Sequence, residues 1–290
     1  MTISETRRRP LRAIILYSAG HAGSAIVLNI ADEAPDIEIV GIVRTPPLKT
    51  KGLSEEMWRM GWRFSWLLFW QRVVQMVLFG FAILLRPWLW KKTLLPAWYL
   101  AQSKKIPVWE CNNVNNAQSE AFIRDLQPDI IISAFFNRIL KHNIIKIPRL
   151  GILNIHPGWL PDYKGVMNYF WVLKNNDGAA GVTLHWINEG IDTGAIIARR
   201  RFTVWHDTTQ HQVLIKAAVI GGRMAVSAAR KLARGEKLPV TLQENMDIPH
   251  TYYSMPGEKD FDVYFRTRRF FRIRDIIATA LQRLRKQRGN

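Results

Sequence analysis

Three side chains in two short motifs could act together on a carbonyl group. Asn154 and His156 stand two apart in NIHPGWLPDYKG (154–165), and Asp192 lies between glycines in NEGIDTG (188–194). Residues two apart in a strand share a face, so a strand ending in Asn-x-His turns both side chains the same way. Pro157 stops that strand. The glycines of GIDTG permit a tight turn that lets backbone approach a ligand. Acyl transfer to an amine needs what these residues supply. As the carbonyl carbon becomes tetrahedral, its oxygen gains negative charge that an amide N–H and an imidazolium can stabilise. The attacking amine must lose a proton, and a carboxylate accepts it directly or through water. No nucleophilic Ser or Cys is required, because the amine itself attacks. Taken singly, His156 reads as a loop hydrogen bond and Asp192 as a turn cap. Three such residues in two compact motifs, each at a strand end, point to chemistry instead.

These residues must be held in the crevice beyond the carboxyl ends of the strands, where open α/β sheets bind ligands. Apolar runs at 13–17, 37–43, 106–110, 129–133, 150–155, 182–186 and 195–198 read as strands. Helical stretches follow the Gly-rich turn near residue 20 and cover 116–126 and 207–234, the last with Gly221-Gly222 as a weak point. Segments 241–244 and 251–253 suggest a last small β element. The expected fold is α/β: an open, Rossmann-like, mostly parallel sheet with flanking helices, a Trp-rich helical insert and a basic amphipathic C-terminal helix. Gly20 and Gly23 fit only the second half of G-x-G-x-x-G, so they read equally as a phosphate cradle or as a turn with close helix packing.

The 290 residues, 48% hydrophobic, suffice for one large α/β domain with a modest appendage. The expected division is a catalytic domain over 11–235 interrupted by an insert at 51–105, a small β extension at 236–262 and a basic tail at 263–290. Cys111 is the single cysteine, and one thiol cannot form an intrachain disulfide, so nothing points to an oxidising compartment. The apolar run 13–17 is shorter than the roughly 7–15 residues of a signal-peptide core, and the expectation is a cytosolic protein or one on the cytosolic face of a membrane. A net charge of +18 favours polyanions: phosphate, nucleic acid or anionic lipid.

The insert differs from the rest of the chain. Trp58, Trp62, Trp66 and Trp70 recur every fourth residue, along one side of a helix, and Trp88, Trp90 and Trp98 follow. Residues 73–85 are apolar except for Gln75, with Arg59, Arg63, Arg72, Arg86, Lys91 and Lys92 around them. A span needs roughly 20 mostly apolar residues; 66–85 has the length but contains Gln71, Arg72 and Gln75, and an Arg near mid-bilayer is costly. The favoured expectation is a helix, or a hairpin broken at Pro87, that dips into one leaflet. Packing against the parent domain or a second subunit is the alternative. In the tail, Phe270, Ile273, Ile277, Leu281 and Leu284 recur at helical spacing opposite Arg268, Arg272, Arg274, Arg283 and Arg285, the pattern of a basic amphipathic helix. It reads as membrane-surface attachment or as a solvated terminal helix. A stacking platform for nucleic acid fits the clustered Trp and Arg less well, because Leu, Ile, Val and Phe accompany them. No metal site is expected, since His206 and His211 have no supporting ligand cluster.

NIHPGWLPDYKG followed by GVTLHWINEGIDTG resembles the signature of the folate-dependent formyltransferases, which include glycinamide ribonucleotide, methionyl-tRNA and sugar-nucleotide members. Asn154, His156, Leu160, Pro161, Tyr163, Lys164, Gly165 and Asp192 match its pattern, and Gly158 stands where the family usually has Ser. The resemblance implies a catalytic triad of Asn154, His156 and Asp192. It also implies that SAFFNRIL (133–140) lines a folate pocket through Phe136, Asn137, Arg138, Ile139 and Leu140, with Glu189 and Gly190. Gly20, Gly23, Tyr163, Lys164 and Gly165 would meet the acceptor. The implied co-substrate is 10-formyltetrahydrofolate, without a metal. The part after the catalytic motifs reads as too short for the β-barrel of the methionyl-tRNA members, whereas 250–265 resembles the C-terminal stretch of some sugar-modifying ones. The expected activity is formyl transfer to a primary amine of a nucleotide- or lipid-linked amino sugar, on an anionic membrane surface, with a homodimer compatible with the apolar insert. A formyltetrahydrofolate hydrolase and a catalytically silent scaffold are the alternatives.

Overall fold

Alternation in the first strand sets the architecture. In β1 (Leu11–Ser18), Leu11, Ala13, Ile15 and Tyr17 enter one core and Ile14 and Leu16 another. A strand apolar on both faces belongs in the middle of a sheet covered by helices on both sides. The structure, a computed structural model, describes residues 9–46, 61–84, 94–267 and 270–280. After β1 come α1 (Ala22–Asp32), β2 (Ile37–Thr45), α2 (Trp62–Leu84), α3 (Ala97–Lys104), β3 (Val108–Glu110), α4 (Ala117–Asp125), β4 (Ile130–Ala134), α5 (His142–Ile145) and β5 (Ile152–His156). Then follow β6 (Lys164–Gly165), α6 (Asn168–Lys174), β7 (Ala179–Trp186), β8 (Ile196–Thr203), α7 (Gln210–Ala233), β9 (Tyr252–Tyr253), α8 (Glu258–Thr267) and α9 (Ile273–Ala280).

The main sheet has the order β3-β2-β1-β4-β5-β7-β8. β1 to β5 run parallel, and β7 and β8 continue the sheet antiparallel. This is the mostly parallel α/β sheet expected from the sequence. The chain order reverses between β1 and β4, and such a switch point opens a crevice at the carboxyl ends of the strands. Serine side chains close the β1–α1 turn onto β4: Ser18 Oγ donates to Phe135 O at 2.9 Å, and Ser24 Oγ donates to Ala134 O.

α1 and α7 cover one face of the sheet. Thr209 and Gln212 form a capping box at the start of α7. Near its other end, Arg230 Nε donates to Asp36 Oδ2 at 2.7 Å. Asp36 precedes β2, so α7 runs from the carboxyl edge of the sheet toward the opposite edge. By length and composition α7 could cross a membrane, but most of it is buried as a core helix. Gly221-Gly222 is no weak point. A Cβ at Gly221 would lie 2.3 Å from Ile155 Cγ2, and one at Gly222 would lie 3.0 Å from Ile30 Cδ1. The two glycines let α7 sit close to β5 and α1.

The insert divides in two. Its end packs on the parent domain: Leu94, Leu100 and Ala101 are buried in the main core, and Asn29 brackets Leu95 by donating to its carbonyl (2.8 Å) and accepting from its N–H (2.9 Å). α2 carries Trp66 and Trp70 stacked at 6.4 Å. Trp58, Arg59, Arg86, Pro87, Trp88, Trp90, Lys91 and Lys92 lie outside the described residues, as do the side chains of Trp62, Arg63 and Arg72.

The C-terminal part departs from expectation. The strand expected at 241–244 is one bridge, Thr241 to Ile196, followed by a 3-10 turn at Gln243–Asn245. The turn forms because Gln243 points inward to bond backbone rather than alternating along a strand. The expected single tail helix is two, α8 and α9. α8 starts within the stretch read as β extension, where Gly257 N donates to Asp260 Oδ2 at 2.9 Å and Glu258 and Asp260 fill the first turn. α9 buries Asp275, Ile276, Thr279 and Ala280, whereas Ile273 and Ile277 face outward beside Arg274. The buried face is therefore not the isoleucine stripe, because Asp275 binds the start of α7. Arg268, Leu281, Arg283, Leu284 and Arg285 lie outside the described residues.

Gly221→Ala should destabilise the protein by about 2 kcal/mol, because an added methyl in a packed core costs about 1–3 kcal/mol, more than the roughly 1 kcal/mol gained in helix propensity. Thermal unfolding followed by circular dichroism checks this; an unchanged or higher midpoint would contradict the close packing of α7.

Candidate active site

β5 delivers the first two side chains. Leu153 and Ile155 enter the main core, so Asn154 and His156 project from the other face at the carboxyl end of the strand. His156 is buried at 3% exposure. Its Nδ1 lies 3.4 Å from Asp192 Oδ1, and its Nε2 donates to Tyr163 O at 2.7 Å. Both ring nitrogens thus face acceptors, which suits the doubly protonated ring. Burial opposes the charge on His156, but the adjacent Asp192 carboxylate and the Tyr163 carbonyl outweigh it and raise its pKa above the ordinary value. Burial likewise pushes Asp192 up, yet the His156 charge and hydrogen bond hold it well below the usual carboxylate range. The two opposite shifts both favour an ion pair at this buried contact.

Backbone fixes Asp192. Gly165 N donates to Asp192 Oδ2 at 2.9 Å, and Asp192 itself adopts a left-handed φ of 52°. Gln243 Nε2 donates to Asp192 O and Gly194 O, both at 2.8 Å, which clamps the turn. Gly165 is held in turn by the β6–β9 pair. Its φ is 94°, and a Cβ there would lie 2.1 Å from Tyr253 O. Only glycine fits this approach.

Two further residues touch the triad and were not singled out from the sequence. His185 on β7 is the register partner of Asn154, whose Nδ2 donates to His185 Nε2 at 2.9 Å. His185 Nδ1 donates to Trp186 O at 2.8 Å, which fixes the neutral tautomer. Burial, opposed by Asp192 and reinforced by the charge on His156, brings its pKa down to about 4. Asn168, fully buried at the start of α6, places Nδ2 3.0 Å from His156 Nε2. Its Oδ1 is buried without a hydrogen-bond partner, and a half-turn of the amide would bring that oxygen to the Nε2–H. Only the pairing of β5 with β7 could have revealed His185. Nothing in local sequence signals Asn168.

The other expected residues ring this centre. Gly20 turns the chain after β1 at φ 70° with open space beside it, and a Cβ at Gly23 would lie 3.1 Å from the Phe135 and His21 rings, so the turn calls for the first glycine and close packing for the second. Beyond β4, Asn137 accepts from Thr45 Oγ1 at 2.8 Å, and Arg138 Nε donates to Asn112 O at 3.1 Å. Ile139 is exposed, whereas Phe136 packs partly and Leu140 fully into the second core. Glu189 pairs with His142 at 2.6 Å in an exposed position, and Gly190 packs on Thr193. Tyr163 turns its ring away from the triad to bond Asp177, and Lys164 faces Tyr252 across the β6–β9 pair. Cys111 lies in the second core, where burial pushes its thiol pKa up, an environment unsuited to a nucleophile. Among the described residues no group of His, Cys, Asp and Glu could hold a metal ion.

The sequence model of the formyl transferase family matches residues 92–228, a stretch that contains Asn154, His156 and Asp192. That stretch is similar to the formyl transferase domain of the family. A methionyl-tRNA formyltransferase of Synechococcus is 30% identical over 146 residues, which are 50% of this chain and 45% of that protein. The chain thus spans about half the length of the curated relatives it matches. Among solved structures, glycinamide ribonucleotide transformylase 1 of Symbiobacterium toebii superposes with a TM-score of 0.54 at 17% identity, over 83% of this chain and 98% of that one. An N-formyltransferase of Helicobacter canadensis, solved with folinic acid and dTDP-3-aminofucose, superposes with a TM-score of 0.52 at 18% identity, over 84% and 71%. These two establish a shared fold. In this chain the triad side chains come from β5 and the β7–β8 turn, while Gln243 and β9, which complete the site, lie beyond the matched stretch.

The ion pair makes stability pH-dependent in a defined window. The raised pKa of His156 stabilises the fold fully below its unfolded value, and this contribution fades as pH rises through the folded pKa. The depressed pKa of Asp192 acts above its unfolded value and fades as pH falls through the folded pKa. Both act together between about pH 4 and about pH 6.5. In Asp192→Asn, burial should dominate and the His156 pKa should fall below the ordinary histidine value. Asn168→Asp should raise it further. Histidine C–H resonances followed by NMR across pH test both, and a His156 pKa unmoved in Asp192→Asn would refute the ion pair.

Proposed function

We propose that this chain transfers a formyl group from 10-formyltetrahydrofolate to a primary amine, on a nucleotide- or lipid-linked amino sugar, at the cytosolic face of a membrane. The observation that carries the chemistry is the buried contact of His156 Nδ1 with the Asp192 carboxylate, with Asn154 on the same strand face. The amine nitrogen attacks the formyl carbon and a carbon–nitrogen bond forms. The formyl oxygen becomes an oxyanion, stabilised by His156 and by the Asn154 amide, which gives one hydrogen to His185 and has a second for the substrate. The proton lost by the amine passes to Asp192 directly or through water, then to the folate nitrogen as its bond to the formyl carbon breaks. Asp192 also keeps His156 charged and oriented. Positive charge serves the membrane and an acceptor phosphate.

Support for folate and for an amino sugar comes from the Helicobacter canadensis neighbour, solved with folinic acid and dTDP-3-aminofucose. The pairing of β9 with β6 also supports a sugar acceptor, because it sets the stretch that resembles sugar-modifying members beside the catalytic loop. The single cysteine is consistent with a cytosolic site.

His156→Ala should lower turnover by about 10²–10⁴-fold, the range typical of a lost proton-handling or oxyanion group. Lipid and sugar-nucleotide extracts of cells expressing the parent or His156→Ala, compared by mass spectrometry, test the reading. A formylated amino sugar present only with the parent supports it and names the acceptor. Formate release without any acceptor would replace it with hydrolysis. Identical extracts with an unchanged folate pool would leave a scaffold.

A further inference from the structure

The side chains of α2 are distributed in the reverse of a soluble surface helix. Trp66, Phe69, Trp70, Met76, Phe81 and Leu84 are each 50–71% exposed. At 100° per residue they occupy an arc of roughly 140°, with Val73, Val77 and Gly80 between them and no polar residue among the described side chains on it. On the opposite side, Gln71 and Gln75 turn toward the protein. Gln71 Nε2 lies 3.3 Å from His211 Nδ1, Gln75 is half-buried, and Leu67 packs on the main core. An ordinary amphipathic helix buries its apolar stripe and solvates its polar side. Here the polar side is anchored and the apolar side is presented.

α9 packs beside α2 and repeats the pattern. Its inward side holds Ile276 and Ala280 together with two polar anchors: Asp275 accepts from Thr209 Oγ1 at 2.9 Å and Gln212 Nε2 at 3.0 Å, and Thr279 Oγ1 lies 2.9 Å from His211 Nε2. Its outward groups are Ile273 and Ile277, with exposed Arg274 between them. Both helices are therefore fastened by hydrogen bonds to the start of α7. That start lies at the carboxyl edge of the sheet, the edge that also carries Asn154 and His156.

We infer that the outward faces of α2 and α9 form one docking surface for an anionic lipid leaflet. This deepens the membrane placement proposed above and is independent of the formyl-transfer chemistry. α2 has 23 residues, about 35 Å of helix. One of its sides is committed to the protein through Gln71 and Leu67, so it lies along the leaflet instead of crossing it. Indole rings and arginines suit the boundary between head groups and acyl chains. A second copy of the chain would also cover apolar area, but each copy carries a net charge of +18. Like charge opposes that pairing, whereas an anionic leaflet attracts it. The surface holds the catalytic edge close to the bilayer, where an acceptor amine borne on lipid is reached without leaving it.

Full-length protein and the variant Trp66→Ser/Trp70→Ser/Phe81→Ser should be floated with vesicles of phosphatidylcholine alone or mixed with phosphatidylglycerol. The parent should float with the mixed vesicles, and less with phosphatidylcholine alone or at high salt. Its tryptophan emission should shift to shorter wavelength on binding. The triple variant should bind at least about tenfold more weakly with an unchanged melting temperature, since the altered side chains are exposed. Equal flotation of parent and variant would overturn the inference, as would a parent that ignores both vesicles. A dimer by light scattering that the variant loses would assign the face to a second copy. His156→Ala should float like the parent, so a failure of formyl transfer would leave the surface standing, and a failure of flotation would leave the chemistry standing.

Discussion

A charged pair sealed from water governs the organisation of this molecule. Two ions in a poorly solvated site are costly unless each has further hydrogen bonds. Asp192 accepts from Gly165 N, and His156 donates to Tyr163 O. Both partners belong to the loop after β5, so the pair and the loop shape each other. A single carboxylate supports a single cation here. His185, 3.8 Å from Asp192 Oδ1, stays neutral and serves as an acceptor for Asn154. Two histidines of identical intrinsic chemistry thus take opposite roles through position alone, one charged and one uncharged.

Loops around the pair are fastened at points where ordinary residues would not fit. Arg199 Nη1 donates to Leu160 O at 2.7 Å, while the guanidinium carbons of Arg199 and Arg201 lie 4.1 and 4.3 Å from the centroid of the Trp159 ring. Trp159 rests against Gly181, where a Cβ would approach within 2.8 Å. The catalytic loop is therefore pinned to the edge strand β8 on one side and to β9 on the other. Rigidity of this kind holds reacting groups in place without reorganisation during the reaction.

Much of the fold could be read from residue pattern because its signals are local. Buried apolar runs gave every strand of the parallel half within a few residues, and Asn-x-His at a strand end identified the face on which the triad side chains stand. What could not be read depends on pairing across the chain. His185 meets Asn154 only because β7 returns antiparallel beside β5, and no periodicity encodes that neighbour. Gln243 breaks a strand pattern to clamp a turn 51 residues earlier. In α9, hydrophobic spacing grouped Ile273 and Ile277 on one face, but not which way that face turns; Asp275, a buried carboxylate with three donors, sets the orientation and leaves the stripe outward.

The β6–β9 pair joins Lys164 and Gly165 to Tyr252 and Tyr253, far along the chain. On a ribosome, a nascent chain that has emerged only to the end of α7 already contains Asn154, His156 and Asp192. It still lacks the strand that holds Gly165 and the glutamine that locks the turn of Asp192. The triad is thus chemically complete before it is geometrically set, and assembly of the site waits for segments synthesised after α7. A nascent or truncated form would carry the motif without the tool.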